Sequence, residues 1–132
     1  MPVQYSYDST LKAVVTTVTG VLVEDEVIAH LRKLRDDETV PPGIIEIVDF
    51  SAADDFAIRV SGAGRVAFLL PELQERKDYK GTKFFAPSDL AYGIARVFQT
   101  LMEQLDIETE IYRDWHELEA AVKKWLHEDL TQ

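Results

Sequence analysis

The clearest alternation of apolar and polar positions lies in residues 82–102. A short apolar run at residues 84–86 ends at Pro87, and beyond Ser88 apolar residues recur at intervals of three or four. A short apolar run is typical of a buried strand, and the longer periodic stretch is typical of an amphipathic helix. The segment therefore predicts a strand followed by a helix, which is the building block of a sheet covered by helices.

The N-terminal region predicts an antiparallel hairpin. Residues 3–7 alternate between apolar or aromatic and polar side chains, and residues 11–19 are rich in valine and threonine. β-Branched side chains suit a pleated surface and disfavour a helix. The Asp-Ser-Thr cluster at residues 8–10 supplies the turn, and we expect the second strand to end at Gly20.

Strands and helices then alternate. Acidic residues starting at Glu24 precede an apolar stripe, as in the first turn of a helix. Residues 44–50 form a nearly continuous apolar run, which indicates a central strand. Residues 107–112 alternate as a strand, and Asp114 with Glu117 resembles the capping box of a last helix.

One stretch, residues 54–73, fits two structures. It predicts either a β-hairpin with the Ser-Gly-Ala-Gly sequence at its tip or a helix that begins at Ser61. Gly62 and Gly64 disfavour the helix by up to about 1 kcal/mol each, and Pro71 would kink or restart it. The local pattern leaves both structures open.

The order of these elements indicates an α/β fold. An initial hairpin followed by alternating strands and helices predicts a mostly parallel five-stranded sheet covered by helices. The chain has 132 residues, of which 46% are hydrophobic, so it is long and apolar enough to bury a core. We expect one domain spanning residues 1–132, since no linker or repeat interrupts the pattern.

Charge narrows the classes of partner. The chain has 24 acidic and 14 basic residues and a net charge of −10, which would repel nucleic acid and anionic lipid. A basic protein face or a neutral ligand is electrostatically favoured. No apolar stretch approaches the length that crosses a bilayer, and the absence of cysteine fits a reducing compartment. We expect a cytoplasmic protein without stable membrane insertion.

Four segments resemble the STAS superfamily, and within it the SpoIIAA-like group. Residues 5–18 resemble its opening hairpin, and residues 48–51 (Val-Asp-Phe-Ser) its central strand ending in an aspartate. Residues 84–103 resemble its penultimate strand and helix, and residues 111–121 its closing strand and helix. The resemblance implies a bacterial, non-enzymatic regulatory module that binds a protein partner, possible partners including an anti-sigma-type kinase.

The resemblance also favours the helix for the ambiguous stretch, because STAS domains place a Ser-Gly-x-Gly sequence at a helix start. In the antagonists that serine is a phosphorylation switch. The resemblance thus implies that Ser61 is a phosphoacceptor, and that Gly62 and Gly64 lie at a partner-docking surface. Arg59 and Val60 replace the acidic residue and second serine of the antagonists. The alternative is that Ser61 only caps the helix.

A second hypothesis is a small-molecule or lipid-binding module with an apolar pocket between helices and sheet. Ligands of open α/β sheets favour the carboxyl ends of strands, and a group of aromatic and polar side chains is expected there. The alternative is that the aromatic rings simply pack in the core. The pocket candidates are Phe50, Phe56, Phe85, Ser88, Asp89 and Tyr92.

No pattern predicts catalysis, a cofactor or a metal. His30, His116 and His127 lie in separate predicted helices and lack a ligand spacing such as HExxH. The acidic runs fall in turns and first helical turns, where carboxylates are normally solvated. A homodimer is plausible because a small sheet has edge strands to cover.

Overall fold

The computed structural model describes residues 2–131, apart from the side chains of residue 60 and of residues 129–131. Five strands and four helices alternate after an initial pair of strands. In chain order they are β1 (Val3–Asp8), β2 (Ala13–Val23), α1 (Glu24–Asp36), β3 (Ile45–Ala57), α2 (Val60–Lys77), β4 (Gly81–Phe85), α3 (Asp89–Glu103), β5 (Glu108–Tyr112) and α4 (Trp115–Thr131).

The strands form one mixed sheet in the order β1-β2-β3-β4-β5. β1 pairs with β2 in antiparallel register, from Val3 opposite Val18 to Asp8 opposite Ala13. The other three pairs of neighbouring strands, β2 with β3, β3 with β4 and β4 with β5, are parallel. The predicted α/β class, the opening hairpin and the mostly parallel five-stranded sheet are therefore confirmed.

Alternate strand residues divide the core between the two faces of the sheet. On one face, residues such as Val14, Val48 and Phe84 pack beneath α1, α2 and α3. On the other face, Ile45 and Ile47 pack with Leu118 and Val122 of α4, in a smaller cluster. This alternation is the two-residue period of a strand, and it leaves α4 as the cover of one face.

The ambiguous stretch is the end of a strand up to Ala57 and is helical from Val60 onward. α2 runs from Val60 to Lys77 and continues through Pro71, so the hairpin alternative is wrong. The capping hypothesis for Ser61 is also wrong. The N-cap position belongs to Arg59, whose backbone is extended, and Ser61 is the second helical residue. A residue inside the first turn has helical backbone angles and does not occupy the N-cap position.

β2 and β3 are longer than predicted. β2 continues past Gly20 to Val23, and β3 continues well beyond residue 50 to Ala57. Pairing of β3 with β4 stops at Asp49 opposite Phe85, so the last parts of β2 and β3 pair only with each other. Register shifts interrupt this two-stranded extension, and Gly20 adopts a positive φ of 68° beside one of them. Glycine here permits a bulge and does not end the strand.

Two predicted helix starts are confirmed. The Ser88 side chain accepts a hydrogen bond from the Ala91 amide at the start of α3. Asp114 accepts hydrogen bonds from the amides of His116 and Glu117 at the start of α4. Among the described residues, no helix is long and apolar enough to cross a membrane.

Candidate functional site

The outward face of α2 carries an exposed serine and an exposed phenylalanine. Four residues lie on one side of the helix, since all pairs among them except the adjacent one are three, four or seven positions apart. They are Ser61, Gly64, Arg65 and Phe68. All four are exposed, and Phe68 is 85% exposed. Ser61 and Phe68 are seven residues apart, about 10 Å along the helix axis. We call these four residues the α2 face.

The candidate glycines have different surroundings. Gly64 is exposed, with no atom near the position of a Cβ. Gly62 is buried, and a Cβ there would overlap the carboxyl group of Glu24. Gly62 is therefore needed for the packing of Glu24, and it does not form part of the exposed surface.

Glu24 supplies a carboxylate to the start of α2. Its Oε1 accepts a hydrogen bond from the Arg59 amide at 2.5 Å. Arg65 adds an ion pair to Asp25 at 3.2 Å and lies 4.0 Å from Glu24. The positive end of the α2 dipole is consequently balanced by an internal carboxylate, and the neighbouring arginines remain partly or largely exposed.

A cleft of about 470 Å³ adjoins the α2 face at the carboxyl ends of β2 and β3. Its apolar residues include Phe56 and Ile58, and its charged residues include Asp25, Arg59 and Arg65. In open α/β sheets this end of the strands is the usual place for binding. An apolar floor beside a charged rim is also the composition of a protein-binding surface.

The six predicted pocket residues do not form one pocket. The rings of Phe50 and Phe56 meet edge to face, 5.0 Å between centroids. Phe85 lies in the cluster on the opposite side of the sheet, against Trp115. Alternation along β4 explains this separation, because neighbouring residues of a strand face opposite sides.

The remaining three pocket candidates stabilise the start of α3. Ser88 is the N-cap, as described above. Asp89 accepts a hydrogen bond from the Arg113 guanidinium at 2.7 Å, and that guanidinium lies 5.3 Å from the ring centre of Tyr92. These contacts join α3 to the end of β5, outside the cavity described next.

A buried polar cluster that the sequence analysis missed lies under α1. Glu46, 2% exposed, accepts hydrogen bonds from the hydroxyls of Thr16 and Tyr79, both at 2.5 Å. Its Oε2 also lies 2.6 Å from Nε2 of His30. The sequence contains one indication of this cluster, a single glutamate inside the apolar run of β3. A buried carboxylate requires hydrogen-bond or charged partners, so its position predicts polar side chains nearby.

The cluster holds Glu46 in its charged form. Burial opposes ionisation, but attraction to His30 and hydrogen bonds from His30, Thr16 and Tyr79 outweigh it, so the pKa of Glu46 lies below its ordinary value. Burial, followed by repulsion from Glu46, raises the pKa of Tyr79 well above its ordinary value. The pair is a carboxylate and a neutral phenol at pH 7.

Beside this cluster lies a partly open cavity of about 50 Å³ between the sheet and the helices α1, α2 and α3. Thr16, His30 and Glu46 form its polar end, and the rest of its wall is aliphatic or aromatic. The apolar lining residues are Val3, Val18, Leu22, Val27, Leu31, Val48, Phe50, Val66, Phe84, Phe98 and Met102.

The other histidines are exposed, on α4 at positions 116 and 127. Within residues 2–131, the structure contains no group of three or more histidine, cysteine or acidic side chains placed to hold a metal ion.

Comparison with known proteins identifies the fold. No protein-family model matches the chain, and no curated protein is significantly similar to it. It is similar in structure to an uncharacterized DUF3478-family protein with a SpoIIAA-like fold from Shewanella loihica PV-4, with a TM-score of 0.54 and 15% identity, covering 94% of this chain and 91% of that chain. It is also similar to the anti-sigma factor antagonist SpoIIAA in its unphosphorylated form, with a TM-score of 0.53 and 20% identity, covering 92% and 97% respectively. The predicted SpoIIAA-like fold is therefore confirmed.

Proposed function

We propose that this SpoIIAA-like chain is a regulatory module that binds a protein partner through the α2 face and the adjoining cleft, and that it has no catalytic role of its own. The fold supports this class of function because one similar structure is an anti-sigma factor antagonist. The exposed Phe68 is the observation that carries the proposal.

Phe68 is suited to anchor a partner. A phenylalanine exposed to 85% on the helix surface loses the hydrophobic stabilisation that burial would provide. Large aromatic side chains dominate the energetics of protein interfaces when a partner covers them. The neighbouring Gly64 leaves room for a partner's backbone or side chain to approach the helix. The α2 face thus combines an apolar anchor with an accessible helix surface.

The same surface suits control by phosphorylation of Ser61. The serine is exposed on the α2 face, seven residues before Phe68. A phosphoryl group there would add nearly two negative charges near the Glu24 carboxylate and the guanidinium groups of Arg59 and Arg65. The phosphoryl group would compete with the Glu24 carboxylate for the positive end of the α2 dipole. It would also change the net charge of the surface that a partner contacts. An anti-sigma-type kinase is the partner class that would supply this phosphoryl group.

The docking proposal is tested by placing a photo-crosslinking phenylalanine analogue at position 68 to identify the partner, which is then purified. Calorimetry compares the unaltered chain with Phe68→Ser and with Val97→Ser, a control at another exposed apolar position on α3. We expect Phe68→Ser to weaken binding about tenfold or more, as loss of an interface anchor does. Equal affinity of Phe68→Ser and the unaltered chain would refute the α2 face as the docking surface.

The regulatory part is tested separately with the same purified partner. The chain phosphorylated at Ser61 should bind with an altered affinity, whereas Ser61→Ala should bind as the unmodified chain does and fail to respond to the kinase. If phosphorylated and unmodified chains bind equally, Ser61 is not a switch, and the docking role of Phe68 stands or falls on its own experiment.

A further inference from the structure

The outer edge of β1 is open, and it lies apart from the α2 face. Within the described residues, β1 is the first strand of the sheet and pairs with β2 alone. An edge of this kind can pair with a strand of another chain, and proteins usually protect it with charges, proline or a bulge. Between Val3 and Tyr7, β1 has no charged residue and no proline, and its register with β2 is regular. The edge is therefore available for pairing.

The opposite edge of the sheet is protected. β5 is the last strand of the sheet, and it carries the glutamates Glu108 and Glu110. A second copy of β5 placed beside it would bring like charges together, which destabilises a strand pair. Self-pairing is thus opposed by charge at β5 and is not opposed at β1.

The pairing with β2 determines which backbone groups of β1 face outward. The Thr19 amide donates to the Pro2 oxygen at 2.8 Å, so Pro2 and Thr19 form a hydrogen-bonded pair. Hydrogen-bonded and non-hydrogen-bonded pairs alternate along an antiparallel ladder. The odd-numbered residues Val3, Tyr5 and Tyr7 therefore direct their N–H and C=O groups away from β2, where no second strand lies in the described part of the chain.

β1 is complementary to a second copy of itself. An antiparallel pair centred on Tyr5 places Tyr5 opposite Tyr5, Val3 opposite Tyr7, and Gln4 opposite Ser6. The odd-numbered pairs are then the hydrogen-bonded ones, which matches the groups that face outward. Side chains of Val3, Tyr5 and Tyr7 are half-buried against the larger core cluster. Contacts between them across the strand pair would cover the parts that are still exposed.

α1 adds opposite charges around the same two-fold axis. The ring centres of Tyr5 and His30 are 5.5 Å apart, so an axis through Tyr5 passes close to His30. Glu26 precedes His30 by four residues and Lys33 follows it by three, which places both charges on the His30 side of α1. A two-fold rotation about this axis directs Lys33 of one chain toward Glu26 of the other.

Neither of these charges is neutralised within its own chain. Oε2 of Glu26 is buried without a hydrogen-bond partner among the described residues, and the carboxylate forms no ion pair with them. Lys33 lies over the Tyr5 ring, 5.5 Å from its centre, and it too forms no ion pair in the described part of the chain. A buried acceptor without a partner is costly, and a cation brought close by a second copy would reduce that cost.

We propose that the protein forms a two-fold dimer in which β1 pairs antiparallel with β1 of a second copy, centred on Tyr5. The two sheets then become one continuous sheet, and the same surface is used by both chains, as in other two-fold interfaces. The dimer goes beyond the docking function, because it would present two α2 faces to a partner.

Sedimentation velocity of the full chain at increasing concentration tests the dimer, and we expect a reversible monomer–dimer equilibrium. Gln4→Glu combined with Ser6→Glu places like charges opposite each other and should weaken association about tenfold or more. Gln4→Lys combined with Ser6→Glu places opposite charges in the same pairs and should restore association. The control is Thr100→Glu combined with Gln104→Glu, which adds two charges at exposed positions on α3 and should associate as the unaltered chain does.

A disulfide reports the register, because the chain contains no cysteine. Chains with Gln4→Cys are mixed with chains with Ser6→Cys and oxidised mildly. The mixture should form a disulfide between positions 4 and 6, which lie directly opposite each other in the proposed pair. Gln4→Cys alone should not form a dimer, since its two copies would be diagonal neighbours about 7–8 Å apart, too far for a disulfide.

A chain that stays monomeric at millimolar concentration would overturn the proposal. So would unchanged association of the folded like-charge variant, or dimers that do not form the mixed disulfide. Circular dichroism shows whether each variant is folded, and the unaltered chain and the opposite-charge variant keep the test decisive if the like-charge variant is not. None of these outcomes bears on the docking role of Phe68, which is measured with a different partner on α2.

Discussion

The carboxyl group of Glu24, the first residue of α1, fills the space beside Gly62 in the first turn of α2. From there it accepts a hydrogen bond from the Arg59 amide, 35 residues along the chain. A tertiary contact thus replaces the local side-chain cap that α2 lacks. Gly62 is part of this contact because any Cβ would displace the glutamate.

This relationship predicts coupling between positions 24 and 62. In the unaltered chain, Gly62→Ala should displace Glu24, and the lost cap of about 0.5–2 kcal/mol should offset the gain in helix propensity. In a Glu24→Ala background the same substitution should stabilise the chain by about 0.5–1 kcal/mol. Urea unfolding of the four proteins measures the coupling, and strictly additive free energies would contradict the proposed contact.

Gly81 should be intolerant of a side chain. A Cβ there would lie 2.7 Å from the backbone oxygen of Glu108 on the neighbouring strand β5. Gly81→Ala must therefore separate β4 from β5 locally, and we expect a loss of about 1–3 kcal/mol in the free energy of unfolding. Gly93→Ala on α3 is the matched control. It meets no atom within 4 Å and should stabilise the chain by about 0.5–1 kcal/mol. Chemical denaturation of both variants distinguishes them, and similar stabilities would be inconsistent with the close strand approach.

Tyr79 should contribute to stability below the pKa of an unfolded tyrosine. Burial and the Glu46 carboxylate raise its pKa in the folded chain, so its contribution is complete below about pH 10 and is lost as the pH rises above that value. Tyr79→Phe removes the hydroxyl that donates to Glu46 and should cost about 1–3 kcal/mol at neutral pH. Unfolding measured from pH 7 to 11 should show less alkaline destabilisation in the variant. An unchanged alkaline profile would show that the hydroxyl is not coupled to folding.

Glu46 should govern part of the acid denaturation. Its folded pKa is lowered, so its contribution is present above the unfolded value of about 4.3 and is lost as the pH falls through the folded value. Glu46→Gln should destabilise the chain at pH 7, since Thr16, Tyr79 and His30 lose a charged acceptor. Its stability should also fall less steeply between pH 5 and pH 2, the window expected for a carboxylate.

The control for the acid profile is Glu75→Gln, which alters an exposed carboxylate on α2. Thermal unfolding across the acid range should place this control close to the unaltered chain. If Glu46→Gln also retains the full acid slope, the buried cluster is not the group that titrates on unfolding.

Much of the fold was predictable because it depends on local periodicity. The two-residue period of β1 and the three-to-four-residue period of α3 are visible in the sequence, and so are the caps Ser88 and Asp114. The extension of β3 to Ala57 was not predictable, because polar residues 51, 54 and 55 look like a loop. They are strand residues only because β2 continues beside them.

Taken by itself, the amino-acid sequence determined the order and type of the elements, since spacing and capping act between near neighbours along the chain. Tertiary structure decided which side chains meet. It placed Glu24 at the start of α2, put Phe85 on the opposite face from Phe50, and gathered Thr16, His30 and Tyr79 around Glu46. These contacts join residues about 16 to 35 positions apart, and pairing across such distances is set by strand register and helix packing, which no local pattern specifies.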